Sequence, residues 1–458
     1  MSHYKLYSKY KDSGVEWLGE VPEHWKVKRL KHIADVRLSN IDKHMVEGQK
    51  VVRLCNYLDV YNNRNINSKI DFMSATASDE QIERLSLQKD DVIITKDSED
   101  PSDIGIPALV EEDIFGLVCG YHLAILRPTA SNGEYLHYLL QSTFVRSAFE
   151  IEATGMTRYA LGKYSIENLI FALPHQSEQL SISSFLKQET SHIDTLISEK
   201  ERLISLLQEY RQALISHAVT KGLDPKAKMK DSGVEWIGDI PEGWDLRRLK
   251  DVGTLFGGAG FPHEYQNVQG EELYFYKVGD LSLSENGKTL LDSPHTISRE
   301  AAKTLRAAVI PKDAIVYAKI GAALILNRRR MTTADCCIDN NMTAYVTNQQ
   351  RVLPDWAFSW LSAIDFGEHA NPGAVPSLSE GYQSSFPIPV PPITEQTAIA
   401  SFLDQETSRI DTLISETRKF IDLLKEYRSS LITAAVTGKI DVREVVPSGS
   451  EKREIAHE

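Results

Sequence analysis

The chain has 458 residues, of which 42% are hydrophobic and 25% are charged, and its formal net charge is −13. This composition is typical of a folded globular protein with about two to four domains, and it excludes a disordered or fibrous chain. The acidic balance argues against a non-specific nucleic-acid coat, because such binding depends on Lys and Arg neutralising phosphates.

The cysteines and the apolar runs indicate where such a chain works. Cys55, Cys119, Cys336 and Cys337 have no spacing typical of a metal site, and they are too few for a disulfide framework. We therefore expect a cytoplasmic protein. The longest apolar run, at residues 320–326, is far too short to cross a bilayer, and residues 1–14 lack the apolar stretch of a signal peptide.

Two segments of the sequence each occur twice. An opening segment at 11–36 returns at 230–255 with 14 of 26 residues identical, at an offset of 219. A closing segment at 177–220 returns at 394–437 with 28 of 44 residues identical, at an offset of 217. A solenoid repeat spans only about 20–50 residues, so each copy is predicted to be a domain followed by an appendage.

Between the matched segments lie two variable middles, 37–171 and 256–386, which do not align beyond short patterns. Runs at 90–96, 121–128, 274–280 and 313–322 are predicted strands, since turn residues bound them. Stretches at 134–149 and 354–364 are predicted helices at matching depths. The middles are therefore predicted to be mixed α/β modules that recognise different targets.

Each closing segment is predicted to be one long helix, with prolines before it and Gly222 or Gly438 as its C-cap. At 1.5 Å per residue, 44 residues form a rod of about 66 Å, whose apolar seam needs a partner helix. The predicted helix-pairing seam has 3-4 heptad spacing and consists of Leu186, Ile193, Leu196, Leu203, Leu207, Tyr210, Leu214, Leu403, Ile410, Leu413, Phe420, Leu424, Tyr427 and Leu431.

The nearest partner for each helix is the other copy. A tandem repeat related by a pseudo-two-fold axis requires the two helices to run antiparallel. The predicted fold is thus α+β (mixed): two mixed α/β modules separated by two long helices that form an intramolecular antiparallel coiled coil. The alternative is a core helix inside each half, which the length of the seam disfavours.

Motifs for catalysis are not visible in the sequence. No GxxxxGK[ST] phosphate loop is present, and the GGAG run at 257–260 lacks the context of a dinucleotide site. We find neither an Asn-Pro-Pro-aromatic motif for base methylation nor nuclease carboxylate spacing, and the histidines do not show metal-ligand spacing. We therefore predict no catalytic residues and no metal site.

Taken together, these landmarks resemble a known family. The duplicated DSGVEW(L/I)G(E/D)(V/I)PE.W motif, the junctions LPHQSEQ at 173–179 and VPPITEQ at 390–396, the variable middles and the long helices closely resemble the DNA-specificity subunit of type I restriction-modification enzymes. The resemblance covers nearly the whole chain. One departure is His175, which stands where the family junction usually has proline.

The resemblance implies a non-catalytic subunit of a multisubunit DNA methyltransferase and endonuclease. Its two target-recognition domains would each read half of a bipartite double-stranded DNA site, and its helices would set the gap and dock two methyltransferase subunits. Restriction (translocase) subunits would join them. S-adenosylmethionine, ATP and Mg²⁺ would be bound by those partners, and no cofactor is expected on this chain.

Base recognition in the major groove uses Arg or Lys on guanine and Asn or Gln on adenine, while phosphate contacts set the register. Turn-rich segments of both middles contain such residues. The candidate DNA-binding residues are Arg53, Asn56, Tyr57, Lys96, Tyr121, Arg158, Tyr159, Lys277, Lys319, Arg328, Arg329, Arg330, Asn340, Asn341 and Tyr382. The middles carry net charges of −7 and −3, counted over 37–172 and 256–389, so we expect weak DNA binding by the isolated chain.

Two other functions are compatible with the sequence: a self-contained restriction or modification enzyme with an unrecognised active site, and a coiled-coil adaptor with two protein-binding modules. The predicted domains are target-recognition domains at 1–173 and 230–390, spacer helices at 174–222 and 391–440, a linker at 223–229 and a disordered tail at 441–458. Each opening segment is predicted to pack near the end of the other copy's long helix, which makes the arrangement circular.

Overall fold

The computed structural model describes residues 4–284, 287–371 and 373–444. The chain divides into unit 1, which consists of Met1–Lys200 with Lys419–Glu458, and unit 2, which consists of Glu201–Arg418. Each unit contains one variable middle and one half of each long helix.

In unit 1 the elements are two small opening hairpin strands, the two sheets of the variable middle, a strand at the junction, and helices between them. The strands are β1 (Tyr10–Asp12), β2 (Glu20–Pro22), β3 (Lys26–Arg29), β4 (Ala34–Leu38), β5 (Lys50–Cys55), β6 (Asn65–Ile66), β7 (Met73–Ala77), β8 (Val92–Thr95), β9 (Asp97–Ser98), β10 (Pro107–Val110), β11 (Leu117–Cys119), β12 (Leu123–Pro128), β13 (Tyr159–Ala160) and β14 (Ile170–Leu173). The helices are α1 (Tyr57–Asn62), α2 (Asp79–Leu85), α3 (Gly133–Gln141), α4 (Thr143–Glu152), α5 (Lys163–Asn168) and α6 (Gln176–Lys221).

The middle of unit 1 is built from a five-stranded sheet of order β4-β12-β8-β10-β6 and a three-stranded sheet of order β11-β5-β7. All four residues of β8 are buried, because this apolar strand lies inside its sheet and both of its faces are covered. Strand β12 pairs antiparallel with β4 and β8, whereas β11 pairs parallel with β5. The predicted strands at 90–96 and 121–128 are confirmed as β8 and β12.

The single helix predicted at 134–149 is wrong in one respect, because the structure divides it into α3 and α4. Ser142 between them has φ −62° and ψ 145°, an extended conformation. Its hydroxyl donates to the carbonyl of Leu139, which ends α3. A serine side chain competes with the helical hydrogen bonds in this way, and the break turns α4 away from the axis of α3.

In unit 2 the element order is similar. The strands are β15 (Met229–Asp231), β16 (Asp239–Pro241), β17 (Asp245–Arg248), β18 (Gly253–Gly257), β19 (Leu273–Tyr276), β20 (Thr296–Ile297), β21 (Ile315–Ala318), β22 (Arg329–Met331), β23 (Cys336–Ile338), β24 (Met342–Thr347) and β25 (Pro387–Val390). The helices are α7 (Leu249–Val252), α8 (Arg299–Thr304), α9 (Ala322–Ile325), α10 (Pro354–Ser362), α11 (Glu380–Ser385) and α12 (Ile393–Val436).

The two middles share one topology although their sequences do not align. Unit 2 has a four-stranded sheet of order β18-β24-β21-β22 and a three-stranded sheet of order β20-β19-β23, which correspond to β4-β12-β8-β10 and β7-β5-β11. The parallel pairing of β6 with β10 returns as a single bridge between Thr289 and Met331. Predicted elements at 313–322 and 354–364 correspond to β21 and α10, and the run at 274–280 is a strand only as far as Tyr276.

Both predicted long helices are confirmed, as α6 and α12. In unit 1 the first half of α6 packs in one apolar core with the last turns of α12, through residues such as Ile193 and Leu431. In unit 2 the last turns of α6 share a core with the start of α12, through Ile215 and Leu403. The beginning of each helix thus meets the end of the other, so the two helices pair antiparallel.

The predicted seam is wrong at one of its two heptad positions. The side chains at that position are exposed: Leu196, Leu203, Tyr210, Leu413, Phe420 and Tyr427. The other predicted residues, Leu186, Ile193, Leu207, Leu214, Leu403, Ile410, Leu424 and Leu431, are buried or half-buried. The second position of the seam lies one residue further on, as the burial of Ile414 and Ile421 shows.

Each opening segment is attached to a long helix by the Glu-Gln pair of the junction motif. Glu178 at the start of α6 accepts a hydrogen bond from Trp25 Nε1 at 3.1 Å, and Glu395 at the start of α12 accepts one from Trp244 Nε1 at 3.0 Å. The following glutamine, Gln179, accepts from the Asn132 backbone amide at 2.9 Å. The duplicated residues therefore form the joint between module and helix.

The predicted circular arrangement is confirmed. Trp25 shares its core with Val436 and neighbouring residues at the end of α12, and Trp244 shares its core with Val219 near the end of α6. Gly438 has φ 71°, and a Cβ there would clash with Pro22, so only glycine lets the chain leave α12 against the opening segment.

The predicted tail starts too early. Asp441 bridges Lys5 antiparallel, and Val442 is buried in the core of unit 1 because the chain lies against the opening segment there. The remainder of the predicted tail, 445–458, lies outside the described residues.

Candidate nucleic-acid interface

In unit 1, four loops and strand ends bring several of the candidate residues together. Lys96 follows the buried strand β8, and its ammonium lies 4.7 Å from the ring centre of Tyr121. Asp97 Oδ2 accepts from Lys96 Nζ at 2.9 Å and from His122 Nδ1 at 2.9 Å. The carboxylate thereby holds a lysine and a histidine side by side at the edge of the sheet, with Tyr121 half exposed beside them.

The aromatic candidates join the same cluster through Ser98. Strand β13 pairs Tyr159 with Ser98, and Tyr57 lies near the Ser98 side chain. Burial raises the pKa of Tyr57, while the nearby Arg158 opposes this rise. Tyr57 also stacks on Tyr61 with ring centres 5.5 Å apart. The cluster therefore combines cations with stacked aromatic rings, a combination that can contact both phosphates and bases.

Asn56 and Arg53 have different positions. Asn56 is the N-cap of α1, because its side-chain oxygen accepts from the amides of Leu58 and Asp59. Its own backbone neighbour Cys55 accepts from the Gly120 amide at 2.8 Å, which places Asn56 close to the Tyr121 loop. Arg53 is exposed in the middle of β5, and no described contact joins it to the cluster.

In unit 2 a single carboxylate organises the corresponding loops. Asp339 accepts from the amide of Val278 at 3.0 Å and from the amide of Asn341 at 2.8 Å. Burial raises the pKa of Asp339. The result is that Lys277, Asn340 and Asn341 are held close together, and both asparagines are exposed.

The two candidate DNA-binding lysines of unit 2, Lys277 and Lys319, are also oriented by neighbouring side chains. Lys277 Nζ donates to Gln266 Oε1 at 2.7 Å and lies 5.5 Å from the ring centre of Phe261. Lys319 Nζ lies 3.9 Å from Glu380 Oε1, a weak pairing because the glutamate is largely exposed. Lys319 directly follows the central strand β21.

The arginine run at 328–330 does not act as one surface. Arg329 is only 4% exposed, its guanidinium donates to the carbonyls of Asn327 and Ile364, and it covers the ring of Phe366 at 4.1 Å. Burial lowers its pKa to about 10. Arg329 is therefore a structural residue that cannot reach DNA without unfolding its loop.

Its neighbours and Tyr382 are placed differently. Arg330 is half-buried and donates to the carbonyls of Gly287 and Arg329, whereas Arg328 is exposed. Tyr382 is exposed, and its hydroxyl pairs with His369 Nδ1 at 2.9 Å. Of these candidates only Arg328 and Tyr382 stay available at the surface.

Backbone hydrogen bonds show that the two clusters occupy equivalent positions. The amide of Lys96 donates to the His122 carbonyl at 2.9 Å, and the amide of Lys319 donates to the Asn341 carbonyl at 2.8 Å. Asn56 and Lys277 are likewise equivalent, since the amide of each donates to an aspartate three residues on. The same framework thus presents His122 in one unit and Asn341 in the other.

Sequence reasoning missed the residues that orient the candidates. Asp97, His122, Asp339 and Gln266 were not predicted, although Asp97 and His122 directly follow Lys96 and Tyr121 in the sequence. That adjacency was the only available signal. An aspartate beside a candidate lysine is common in turns, so nothing in the sequence marks Asp97 as the acceptor of two cationic side chains.

The described residues contain neither a candidate metal site nor a candidate membrane span. In 4–284, 287–371 and 373–444, no group of three or more His, Cys, Asp or Glu residues is arranged to hold a metal ion. Within the same ranges, no helix combines the length and hydrophobicity that a membrane span requires.

Comparison with known proteins places these features in a family. The family model for the type I restriction modification DNA specificity domain matches residues 22–206 and 241–420. One relative is named as the specificity subunit of the type I restriction enzyme MjaX of Methanocaldococcus jannaschii. It is 25% identical to this chain over 440 residues, which are 93% of this chain and 96% of that protein. The EcoDI specificity subunit of Escherichia coli is 21% identical over 340 residues, 69% of this chain and 72% of that protein.

Solved structures share the fold. A chain from a structure on complex assembly and conformational transition of the type I R-M system has a TM-score of 0.69 at 15% identity, over 91% of this chain and 98% of that one. The HsdS subunit from Thermoanaerobacter tengcongensis has a TM-score of 0.52 at 16% identity, over 92% and 98%. The family implies a role in sequence specificity rather than in catalysis. With two matches that follow its internal repeat, the chain belongs to the family of type I restriction-modification DNA specificity subunits.

Proposed function

We propose that each variable middle reads one half of a bipartite double-stranded DNA site, as part of a type I restriction-modification complex. The observation that carries this proposal is the shared framework of the two candidate clusters. Equivalent backbone positions carry Asn56 and Lys277, and likewise His122 and Asn341. One fold with different hydrogen-bonding groups at the same places is what two different half-sites require.

The chemistry of the presented groups supports contact with base edges. Asparagine pairs with adenine through two hydrogen bonds, and lysine recognises guanine acceptors. In unit 2, Asn340 and Asn341 are exposed next to Lys277, while unit 1 offers Lys96, Tyr121 and Arg158. We place these residues, with Tyr57, Tyr159 and Lys319, at the DNA, and we leave Arg329 out.

The net negative charge of the variable middles favours a role for partner subunits in binding the DNA phosphates. Both middles are acidic overall, so their few cations neutralise only a small number of phosphates. We therefore infer that methyltransferase subunits supply many of the contacts to the DNA phosphates. Nanomolar, sequence-specific binding by the isolated chain at physiological salt would contradict this inference.

Two equivalent apolar patches on the long helices are candidate docking surfaces for those subunits. In unit 2 the exposed patch consists of Leu203, Leu206 and Tyr210 with Leu413, and in unit 1 it consists of Phe420, Leu423 and Tyr427 with Leu196. The 217-residue repeat offset relates the two patches residue by residue. Contiguous exposed apolar side chains on a helix favour a partner helix, and two matched patches favour two copies of one partner.

The remaining parts of the proposal follow from the family. S-adenosylmethionine would be bound by the methyltransferase subunits, and ATP with Mg²⁺ by the restriction subunits. We place the target-recognition domains at 1–173 and 230–390 and the spacer helices at 174–222 and 391–440, joined by the linker 223–229. All four cysteines are buried, and none forms a disulfide, which is compatible with the cytoplasm we propose.

The experiment is to express the chain with a methyltransferase subunit encoded beside it and to map methylated bases by single-molecule sequencing. We expect one split motif, with two short halves around a fixed gap. Lys96→Ala should relax or weaken recognition in one half only, and Lys319→Ala in the other half, because each lysine lies in a different unit. The exposed Lys312→Ala is the matched control and should leave both halves unchanged.

Two outcomes would count against the proposal. An active methyltransferase complex without a split motif would favour a coiled-coil adaptor. If Lys96→Ala and Lys319→Ala changed the same half-site, the assignment of one half to each unit would be wrong.

A further inference from the structure

Two ion pairs cross between the long helices, one in each unit. In unit 1, Arg428 Nε donates to Asp194 Oδ1 at 3.0 Å. In unit 2, Arg211 donates to Asp411 with Nε at 3.0 Å and with Nη2 at 3.2 Å. The repeat offset of 217 relates Asp194 to Asp411 and Arg211 to Arg428, so the two pairs are one interaction made twice.

The positions of these pairs make them sensitive to how the helices slide. Arg211 and Arg428 stand at the heptad position that Ile414 and Ile421 otherwise occupy in the seam, whereas Asp194 and Asp411 directly follow the seam residues Ile193 and Ile410. The Arg428 side chain is only 12% exposed, and burial together with Arg64 lowers its pKa. A charge that is largely withdrawn from water needs its partner, so loss of the Asp194–Arg428 pair is costly, whereas the more exposed Arg211–Asp411 pair contributes less.

Apolar heptads alone do not define one register, because a slide of seven residues brings apolar positions opposite apolar positions again. In the register one heptad away in one direction, Arg211 would face Arg418. In the other direction, Arg428 would face Lys187. Each alternative therefore has one pair of cations and one new ion pair, Arg428 with Glu201 or Arg211 with Asp404, where the observed register has two ion pairs.

The charges that produce this effect differ between the two copies. Lys187 corresponds to Asp404 and Glu201 corresponds to Arg418 at the repeat offset. If both copies had an acidic residue at these places, each slid register would have two ion pairs, as many as the observed one. The asymmetry of the duplication thus makes both alternatives less favourable than the observed register.

We propose that Asp194, Arg428, Arg211 and Asp411 fix the axial register of α6 against α12, and that Lys187 and Arg418 disfavour the registers one heptad away. This inference rests on the proposed function: these six residues would then be specificity-determining residues, because the helix register sets the gap between the half-sites. A slide of one heptad shifts one helix along the other by about 10.5 Å, the rise of about three base pairs.

The first test is a charge-swap cycle on the full chain, read by thermal unfolding. Asp411→Arg places two arginines together and should lower the midpoint by at least about 4 °C. Adding Arg211→Asp restores an ion pair of opposite direction and should return the midpoint to within about 2 °C of the unchanged chain. Arg409→Asp, an exposed change on the same helix, is the control.

The pair in unit 1 gives a sharper version of the cycle, because Asp194 also pairs with Arg64. Swapping only Asp194→Arg and Arg428→Asp leaves Arg64 against an arginine, so rescue should be partial. Adding Arg64→Glu should make it complete. If the swapped variants in both units are as unstable as the single reversals, the two pairs do not set the register and the proposal is wrong.

The second test uses the complex with the methyltransferase subunit. In a chain with Asp194→Asn, Asp411→Asn and Arg418→Glu, both ion pairs of the observed register are lost. One slid register then gains two ion pairs, because Arg211 would face the carboxylate introduced by Arg418→Glu and Arg428 would face Glu201. We expect a second motif whose gap differs by about three base pairs.

The outcomes of this second test separate the two proposals. A single unchanged gap in the folded variant would overturn the role of Arg418. Absence of any split motif with the unchanged chain would instead refute the proposed function, while leaving the unfolding cycle interpretable.

Discussion

Replacing the junction glutamate by glutamine should destabilise the two units by different amounts. Glu178 is only 6% exposed, and its carboxylate accepts from Tyr7 Oη at 2.8 Å, His24 Nε2 at 2.8 Å and Trp25 Nε1 at 3.1 Å. The equivalent Glu395 is half-buried, and among the side chains of the described residues only Trp244 donates a hydrogen bond to it, through Nε1. The duplication therefore supplies its own matched comparison.

The magnitude follows from the hydrogen bonds that lose a charged acceptor. A bond to a charged group contributes about 1.5–3 kcal/mol and a neutral one about 0.5–1.5 kcal/mol, so each conversion costs about 1 kcal/mol. Glu178→Gln weakens two or three such bonds and should cost roughly 2–3 kcal/mol, whereas Glu395→Gln should cost roughly 1 kcal/mol.

The assay is differential scanning calorimetry of the full chain. At about 2–4 °C per kcal/mol, Glu178→Gln should lower the unfolding midpoint by roughly 4–12 °C and Glu395→Gln by roughly 2–4 °C. Glu416→Gln, on the exposed face of α12, is the control and should stay within about 0.5 kcal/mol of the unchanged chain. Equal shifts for the two junction variants would refute the reasoning that the number of donors on the carboxylate decides its contribution.

Three further predictions concern other residues of the two units. Burial lowers the pKa of His137 to about 3, so as pH falls from 7 to 5 the unfolded state binds a proton that the folded state does not, and the unchanged chain loses stability. The His137→Gln variant lacks this group, so its free energy of unfolding, measured by urea titration, should fall by about 2 kcal/mol less over that range than that of the unchanged chain. Arg329→Met should cost about 1.5–3 kcal/mol in the same titrations, because two carbonyls lose their donor, while the methylated motif stays unchanged; a changed motif would contradict a structural role. Leu206→Glu or Leu423→Glu should leave a complex with one methyltransferase subunit by native mass spectrometry, and the double variant none; retention of two subunits would exclude these patches as docking surfaces.

Much of the architecture can be predicted from the local sequence. The tandem repeat, the extent of α6 and α12 and the glycine after each helix depend on composition and spacing within a few turns, so the sequence predicts them. The circular arrangement also follows, because the short linker at 223–229 leaves the second opening segment no other place to pack. The Glu-Gln junction motif was visible as well, although its hydrogen bonds to Trp25 and Asn132 were not.

The seam shows where periodicity stops being sufficient. Both long helices carry apolar side chains at three heptad positions, and the first of these gives the 3-4 pattern with either of the other two, which are adjacent to each other. Burial of Ile414 and Ile421, and the ion-paired Arg211 and Arg428 at the same position, show which face meets the other helix. The third position then stays exposed, and together with Leu206 and Leu423 it forms the two apolar patches.

The candidate interface divides in the same way. Residue type and turn context selected Lys96, Tyr121, Tyr57 and Arg158, which the fold does bring together through residues far apart in sequence. The same reasoning selected Arg329, which the fold buries over Phe366. Thus the sequence by itself determined the repeat, the long helices and the kinds of side chain available, because these depend on local composition. Only the tertiary structure decided which helix face is buried and which side chains share a surface, because both depend on contacts between residues that are tens to hundreds of positions apart.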